Sequence, residues 1–441
     1  MNKIHERRKG IESLARKYSN VPMEAILKND LLRLGAAFSD AALKACEGCC
    51  TKSYRLFTYD KVKYSDLAKG EHFKVPEVIK LFGGQYRLRE TAVQVRLNPQ
   101  SPYEVDVIDG QVVLCGNGAN MADVRLPPAP KYYYKTFPDG TGFSEVVAWV
   151  NAIAFATVYT VCQYWGTKRE CKFCDINKNV RQAKDYHKLF LPKTYKPVEQ
   201  VVEVMEEIFM KEQEQGFDER PLSFIVTGGC IPKLVNGKNE DEFYLEYVER
   251  IRDRIGNRWP GMLQTAPKDK KTYKRYKAAG VTTHHAQIEV WDKDLFEIIC
   301  PGKGHHVGWD TWIKGILDAV DVFGEGNVTP GFVAGVEMCQ PYGFRDIDSA
   351  LQSMTEGFEF LMSHGVSCRY NVWNISPWSA LAGNLPPPLE YYVRLDQAWC
   401  ETLLKYNLRP PTGFGEMGPG RAVCQHAAYM DMDPIKILYG R

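Results

Sequence analysis

Three cysteines in the middle of the chain are the residues best suited to chemistry. Cys162, Cys171 and Cys174 lie close together, and the last two form a Cys-x-x-Cys pair. Thiolates bind soft metals and iron–sulfur clusters, and this close spacing lets two sulfurs reach one metal centre. A structural zinc site or a fully ligated cluster takes four protein ligands. Three thiols therefore predict a cluster in which one iron stays open to a small molecule.

The residues before these thiols predict the element that positions them. The segment 155–161 is rich in β-branched and aromatic residues, which is typical of a buried strand. The strand ends at Cys162, and a polar loop with Gly166 carries the other two thiols. One strand end and one short loop thus present all three sulfurs, and we call Cys162, Cys171 and Cys174 the cluster cysteines.

This segment resembles the cluster loop of the radical S-adenosylmethionine (radical SAM) enzymes. In that family, three thiols follow the first strand of a β/α barrel, and the residue before the last thiol is usually aromatic, as Phe173 is here. Eight residues separate the first two thiols of this chain, whereas three is usual. The resemblance implies a [4Fe-4S] cluster held by the cluster cysteines, with S-adenosyl-L-methionine (SAM) on the open iron and Phe173 among the cofactor contacts.

A repeated pattern of strand and helix from about residue 145 to 408 predicts an α/β fold with a parallel sheet. Six such units predict a partial (β/α)6 TIM-like barrel over residues 141–408. The strands are expected at 155–161, 221–227, 261–265, 281–290, 327–333 and 366–372. The main helices are expected at 197–215, 240–254, from 268 onward, 309–323, 346–364 and 390–406.

The segments on either side of the barrel differ in character. Residues 1–140 combine helical patterns with short alternating strands, and Asp109-Gly110 predicts a hairpin turn. We interpret this region as an accessory α+β domain. Residues 409–441 are rich in Pro and Gly and predict a C-terminal extension or lid.

The functional residues of a parallel β/α barrel collect at the C-terminal strand ends. Here Thr227, Gly228 and Gly229 follow the second strand and resemble the family's Gly-Gly-Glu motif, with Cys230 in place of the Glu. The resemblance implies that their backbone groups bind the ammonium group of SAM, because glycines let a backbone approach a ligand closely. A glycine pair is otherwise typical of a simple turn.

Further SAM contacts are implied on the last three strands. Glu289 ends strand four, where the family places polar contacts to the ribose or carboxylate of SAM. Gly331, Val333 and Gly335 resemble the family's adenine-contacting segment, with Val333 packed against the adenine. Asn371, on strand six, can reach adenine or substrate through its amide.

Other candidates have commoner explanations. His284 and His285 suit proton transfer, but satisfied core or surface histidines are more frequent. Lys303 can hold an anionic group, but its Gly-rich surroundings predict a solvated loop. For the thiols Cys46, Cys49 and Cys50, an auxiliary metal site, a redox pair and no chemical role all stay open.

Composition limits the class of protein. The net charge of +2 over 441 residues gives no electrostatic basis for binding nucleic acid or an anionic membrane. Thirteen cysteines, with no signal peptide in the first residues, predict reduced thiols and a cytoplasmic location. The apolar stretch 146–161 predicts two buried strands and no membrane span, because polar residues such as Asn151 interrupt it.

The predicted function is that of a radical SAM enzyme. The resemblance implies reductive cleavage of SAM to a 5′-deoxyadenosyl radical, which abstracts hydrogen from a small-molecule or peptide substrate. A low-potential electron donor of flavodoxin or ferredoxin type is the expected partner. The first alternative is a non-catalytic iron–sulfur or zinc module with a fourth protein ligand such as Cys230. The second is a β/α-barrel lyase or aldolase with structural cysteines.

Overall fold

The computed structural model describes residues 2–52, 59–63, 75–116, 119–187, 194–211 and 220–439. Its helices are α1 (Asn2–Lys17), α2 (Met23–Leu34), α3 (Asp40–Ala45), α4 (Phe143–Val146), α5 (Ile176–His187), α6 (Val198–Glu206), α7 (Glu240–Ile255), α8 (Lys270–Ala278), α9 (Lys293–Ile299), α10 (Pro301–His306), α11 (Trp309–Phe323), α12 (Ile347–Ser363), α13 (Leu389–Lys405) and α14 (Pro434–Tyr439). None of these described helices is long and apolar enough to cross a membrane.

The strands fall into two groups along the chain. The N-terminal group is β1 (Ala37–Phe38), β2 (Val78–Gly83), β3 (Leu88–Gln94), β4 (Tyr103–Ile108), β5 (Gln111–Gly116) and β6 (Ala119–Arg125). The second group is β7 (Ala148–Val150), β8 (Ile153–Tyr159), β9 (Ser223–Gly228), β10 (Gly261–Gln264), β11 (Thr283–His285), β12 (Gly331–Ala334) and β13 (Arg369–Val372). The fold is therefore α/β, with both parallel and antiparallel pairing.

The first group forms one sheet in the order β1-β4-β5-β6-β2-β3. Its neighbours are antiparallel except β1 and β4. The predicted hairpin is present, with Ile108 paired to Gln111. Asp109 and Gly110 between them both have positive φ, 51° and 78°, as the favoured two-residue hairpin turn requires.

The second group contains six parallel strands in chain order. β8, β9, β10 and β11 are parallel neighbours, and β7 pairs antiparallel with β8 at the edge. β12 and β13 form a parallel pair, and bridges from His284 to Val328 and from Glu289 to Phe332 join it to the β11 side. The predicted order of strands and helices is observed, while barrel closure and the domain limits remain predictions.

Helix bounds follow local signals where these are strong. α7 begins with a capping box, in which Asn239 accepts a hydrogen bond from the Glu242 N–H and the Glu242 carboxylate accepts one from the Asn239 N–H. α11, α12 and α13 match the predicted ranges to within one residue at each end. The predicted end of the helix at 197–215 lies partly outside the described residues, and α6 continues as a π-helical turn, Glu207–Lys211.

Two local predictions are wrong. The predicted loop around Lys303 is the helix α10, which Pro301 starts at a position that suits proline. The fourth strand is limited to Thr283–His285 instead of continuing to Val290. In that stretch Glu289 has a φ of 70°, which a regular strand does not allow.

Both terminal regions pack on the sixth parallel strand. The Arg96 side chain is buried, and its Nη2 donates to the Val372 carbonyl at 2.8 Å. Lys28 of α2 forms a buried ion pair with Asp431, with 2.7 Å between Nζ and Oδ2. One continuous hydrophobic cluster includes residues of both sheets and of the C-terminal tail.

Candidate active site

A large cavity runs along the parallel strands, from their C-terminal ends to residues near their starts, such as Ile153 and Arg369. The predicted site residues on its wall are Cys162, Cys171, Phe173, Cys174, Thr227, Gly228, Gly229, Glu289, Val333 and Asn371. Residues from five of the six parallel strands, or directly after them, thus meet around one space. Gly331 and Gly335 are not on its wall, and a Cβ at either position would press on Gln287 or Tyr392. Their proposed adenine contacts remain predictions.

Two further thiols lie beside the cluster cysteines. Cys300 lies close enough to Cys171 to raise its pKa, and Cys162 acts in the same way on the pKa of Cys230. Among the described residues, no three His, Cys, Asp or Glu side chains converge closely enough to hold a metal ion. The donor set nonetheless suits an iron–sulfur cluster, because one loop brings three thiols to the same cavity wall.

The surroundings of Cys171 and Cys174 favour the neutral thiol over the thiolate. The neighbouring Cys300 thiol, together with burial, holds the pKa of Cys171 well above its ordinary value. Burial does the same to the pKa of Cys174. Since only the thiolate is a good metal ligand, both sulfurs need a cation or a metal to ionise.

Hydrogen bonds from neighbouring segments fix the backbone of the cysteine loop. Asn177, at the start of α5, accepts a hydrogen bond from the Cys162 N–H at 2.7 Å and donates to its carbonyl at 3.1 Å. The Gln163 N–H donates to the Cys230 carbonyl at 3.1 Å. Sequence reasoning missed Asn177, for which the available signal was an amide three residues after Cys174. Asn177 acts as a positioning residue for Cys162.

The glycines after β9 pack against the backbone that leads into the cysteine loop. A Cβ on Gly229 would lie 2.0 Å from the Val161 oxygen and 2.6 Å from the Cys162 Cα. A Cβ on Gly228 would lie 2.6 Å from the Tyr159 oxygen. Both positions thus exclude a side chain because two segments of backbone meet there, whatever ligand the cavity holds.

A buried ion pair lies on the cavity wall beside the thiols. The Lys303 Nζ is 2.7 Å from the Glu289 Oε1 and donates to the Gln287 carbonyl at 2.5 Å. Burial acts to lower the pKa of Lys303, but the carboxylate of Glu289 and the thiols of Cys171 and Cys300 outweigh it, so the pKa is raised. The lysine expected in a solvated loop is therefore a buried cation.

Glu289 combines this contact with an unusual backbone. Its φ of 70° lies in the left-handed region, which is strained for a residue with a side chain and is common at functional sites. Its N–H donates to the Gly331 carbonyl at 2.9 Å, and its carbonyl accepts from the Val333 N–H at 2.9 Å. Bonds to the start of β12 therefore hold the carboxylate toward the cavity.

The remaining candidates lie off the cavity wall. His284 is buried, with its Nε2 2.9 Å from the Thr265 Oγ1, and burial lowers its pKa to about 3. His285 is buried, with its Nδ1 3.4 Å from an Arg369 nitrogen. The favoured interpretation of both as core histidines agrees with this packing.

The N-terminal thiols are also buried. Burial raises the pKa of Cys46 to about 12 and that of Cys49 to about 11. The Cys50 thiol donates to the Trp149 carbonyl at 3.4 Å. These contacts support a packing role, and an auxiliary metal there remains a prediction.

No protein-family model matches the chain. The chain is 22% identical over 329 residues to the bacteriochlorophyllide c C-7(1)-hydroxylase of Chlorobaculum limnaeum, a match that covers 73% of this chain and 77% of that protein. A radical SAM methyltransferase from Sphaerobacter thermophilus is among the similar solved structures. The chain is similar to radical SAM enzymes. Both the hydroxylase and the methyltransferase are enzymes, as the sequence resemblance implies for this chain.

The structural matches are distant. The Sphaerobacter thermophilus methyltransferase is 14% identical with a TM-score of 0.37, over 70% of this chain and 76% of that chain. Methylornithine synthase is 16% identical with a TM-score of 0.41, over 58% of this chain and 62% of the synthase. Because these TM-scores lie below 0.5, the two matches give no indication of the activity or the substrate of this chain.

Proposed function

We propose that the chain is a radical SAM enzyme that cleaves SAM reductively and abstracts hydrogen from a small-molecule or peptide substrate in the cavity. The observation that carries this proposal is the position of the cluster cysteines. One loop, held by Asn177, presents them to a cavity that is also lined by residues at the C-terminal ends of the parallel strands. The similarity to a hydroxylase is consistent with a reaction that begins at a carbon–hydrogen bond.

The cluster cysteines would hold a [4Fe-4S] cluster. When bound, that cluster supplies the electron that splits SAM into methionine and a 5′-deoxyadenosyl radical. Lys303 offsets the negative charge of the ligating sulfurs, since its ammonium is buried beside them. A low-potential flavodoxin or ferredoxin would be the electron donor.

Other residues would bind and orient SAM. Backbone groups of Thr227, Gly228 and Gly229 would bind its ammonium, and the Glu289 carboxylate would accept hydrogen bonds from its ribose. Phe173, Val333 and Asn371 offer one aromatic, one apolar and one amide contact on the same wall. The contact of Gly229 with Val161 and Cys162 keeps this SAM region next to the cysteine loop.

Electron paramagnetic resonance (EPR) tests the proposal. The protein is reconstituted anaerobically with iron and sulfide, reduced, and measured with and without SAM. We expect a [4Fe-4S]⁺ signal that SAM shifts and that the triple variant C162A/C171A/C174A lacks. Formation of 5′-deoxyadenosine should follow. A signal that ignores SAM, or stoichiometric zinc in place of iron, would refute the proposal.

A closed metal site is the second candidate, and the neighbouring thiols favour it. Cys230 lies beside Cys162 and Cys300 beside Cys171, so either one is placed to become a fourth protein ligand. In that case the C230S or C300S variant would lose metal, and the EPR signal of the parent protein would not change when SAM is added. If both serine variants keep the SAM-dependent shift, the fourth iron site is open and the closed site is excluded.

A further inference from the structure

A buried arginine on the cavity wall has no acidic partner among the residues that the structure describes. Arg369, the first residue of β13, is 5% exposed. Its guanidinium lies 3.4 Å from the Asn371 Oδ1 and 3.4 Å from the His285 Nδ1, both long contacts with neutral groups. Its Nε has no hydrogen-bond partner, and no carboxylate of the described residues forms an ion pair with it. A buried guanidinium without an opposite charge destabilises the folded protein, unless a ligand of negative charge binds to it.

The arginine lies in a part of the cavity that three regions of the chain build together. The C-terminal tail spans the space between β8 and β13, because the Val423 carbonyl accepts from the Asn151 side chain and the His426 carbonyl from the Val372 N–H. The Gln425 carbonyl accepts from the Gln94 N–H of β3 at 2.9 Å. The side chains of Gln94, Gln425 and His426 consequently share the cavity wall with Arg369.

Several buried polar atoms on this wall also have no hydrogen-bond partner within the described part of the chain. They are the side-chain oxygens of Gln94, Gln287, Asn374 and Gln425, and the nitrogens Nε1 of Trp373 and Nε2 of His426. Gln94, Gln425 and His426 are each at least nine-tenths buried. Each unpaired buried polar group destabilises the folded protein, because it has lost its hydrogen bonds to water. So many on one wall indicate a site shaped for a polar ligand.

The charges on this wall favour a single negative group. Burial, with the positive charges of Arg369 and Lys28, lowers the pKa of His426, so its ring is neutral. Lys196 on the same wall already donates to the Val146 carbonyl at 2.7 Å. Glu77 and Asp175 also line the cavity, burial raises the pKa of both, and neither acid supplies the second positive charge that a doubly charged phosphate would need. One guanidinium in these surroundings matches a monoanion.

We propose that Arg369 binds a carboxylate group of the substrate and that the surrounding amides bind its N–H or O–H groups. The inference rests on the proposed function in one respect, since it identifies the bound acid as the molecule that loses hydrogen. It also gives the N-terminal sheet and the C-terminal tail a role in substrate binding, through Gln94, Gln425 and His426.

Ligand-observed saturation-transfer NMR with sodium propionate and propionamide tests the proposal. These probes differ in charge and hardly in shape, and they are small enough to be independent of the rest of the substrate. The full-length, reconstituted protein is used with SAM in solution. We expect propionate to bind saturably and about tenfold or more tighter than propionamide, since a charge-assisted bond is involved. Equal binding of the two, or no saturable binding of propionate, would overturn the proposal.

Variants identify the residue and the kind of anion. R369Q should reduce propionate binding to the level of propionamide, R369K should retain part of the preference, and R409Q at an exposed arginine should leave it unchanged. An unchanged preference in R369Q overturns the proposal. The proposal is also overturned if inorganic phosphate binds at Arg369 more tightly than propionate does.

The SAM-induced EPR shift separates this proposal from the function. If R369Q loses that shift, Arg369 holds the carboxylate of SAM and the assignment to substrate is wrong. If the parent protein shows no shift but still prefers propionate through Arg369, the radical SAM proposal fails while the acid site stands.

Discussion

The ammonium of Lys303 lies 2.7 Å from the carboxylate of Glu289, and both side chains are largely shielded from water, at 6% and 16% exposure. Lys293 and Asp310 form a pair of nearly equal length, 2.6 Å, but with 54% and 77% exposure. The two pairs differ mainly in solvation. They therefore separate the energetic effect of a buried pair from that of a surface pair.

Breaking the buried pair should destabilise the protein more than removing it altogether. We expect K303M and E289Q each to lower the free energy of unfolding by about 3–5 kcal/mol, because each leaves one buried charge without a partner. The double variant should lose less than the two single losses added together. Urea unfolding of all three measures this.

The exposed pair supplies the control. K293M should change the free energy of unfolding by less than about 1 kcal/mol. Strictly additive losses in the double variant would show that Lys303 and Glu289 do not interact.

The hydrogen bonds of Asn177 should control how well the site keeps its metal. N177A removes both bonds to the Cys162 backbone and leaves a partly buried N–H and carbonyl unpaired, at a cost of roughly 1–3 kcal/mol. We expect reconstituted N177A to lose iron to a chelator several times faster than the parent. R181A, an exposed change on the same helix, is the matched control. Equal rates in N177A and R181A would remove Asn177 from its positioning role.

Gly229 should tolerate no side chain, whereas a glycine within the cysteine loop should. G229A places a methyl group against the Val161 oxygen and the Cys162 Cα, both backbone atoms that cannot rotate away. A Cβ on Gly166 would meet no atom of the described residues within 4 Å. We expect G229A to lower both the melting temperature and the iron content and G166A to change neither. Normal iron content in G229A would contradict the packing of the glycines against the loop.

Glu337 should make stability depend on pH. Burial raises its pKa from 4.5 to about 7, so the folded state holds the proton more tightly than the unfolded chain does. Its contribution to stability is then complete below about pH 4.5 and is lost as the pH rises toward 7. The loss amounts to about 3 kcal/mol, at about 1.36 kcal/mol per pKa unit.

The E337Q variant isolates that effect. Glutamine cannot ionise, so the stability of the parent relative to E337Q should fall between pH 4.5 and 7 in urea unfolding. Asp396, another buried acid with a raised pKa, is present in both proteins and cancels in the difference. A difference that is flat with pH, or that rises, would show that Glu337 is ionised throughout.

Local patterns in the sequence determined the elements of this fold and the most distinctive part of the site. The strand that ends before Cys162, the turn at Asp109-Gly110 and the order of strands and helices after residue 145 all follow from hydrophobic periodicity and turn chemistry. Each of these signals acts over a few residues. They can therefore be interpreted without knowledge of the rest of the chain.

Contacts between distant segments decided the rest. Lys303 is buried because α10 packs against the cysteine loop, where a Cβ on Gly302 would lie 2.6 Å from the Arg169 oxygen. Arg369, Gln94 and His426 share one cavity wall only because the C-terminal tail is hydrogen-bonded to β3 on one side and to β13 on the other. The burial of a residue and its charged partners depend on neighbours that come from distant parts of the chain. No single segment of the sequence shows those neighbours, so only the tertiary structure could decide them.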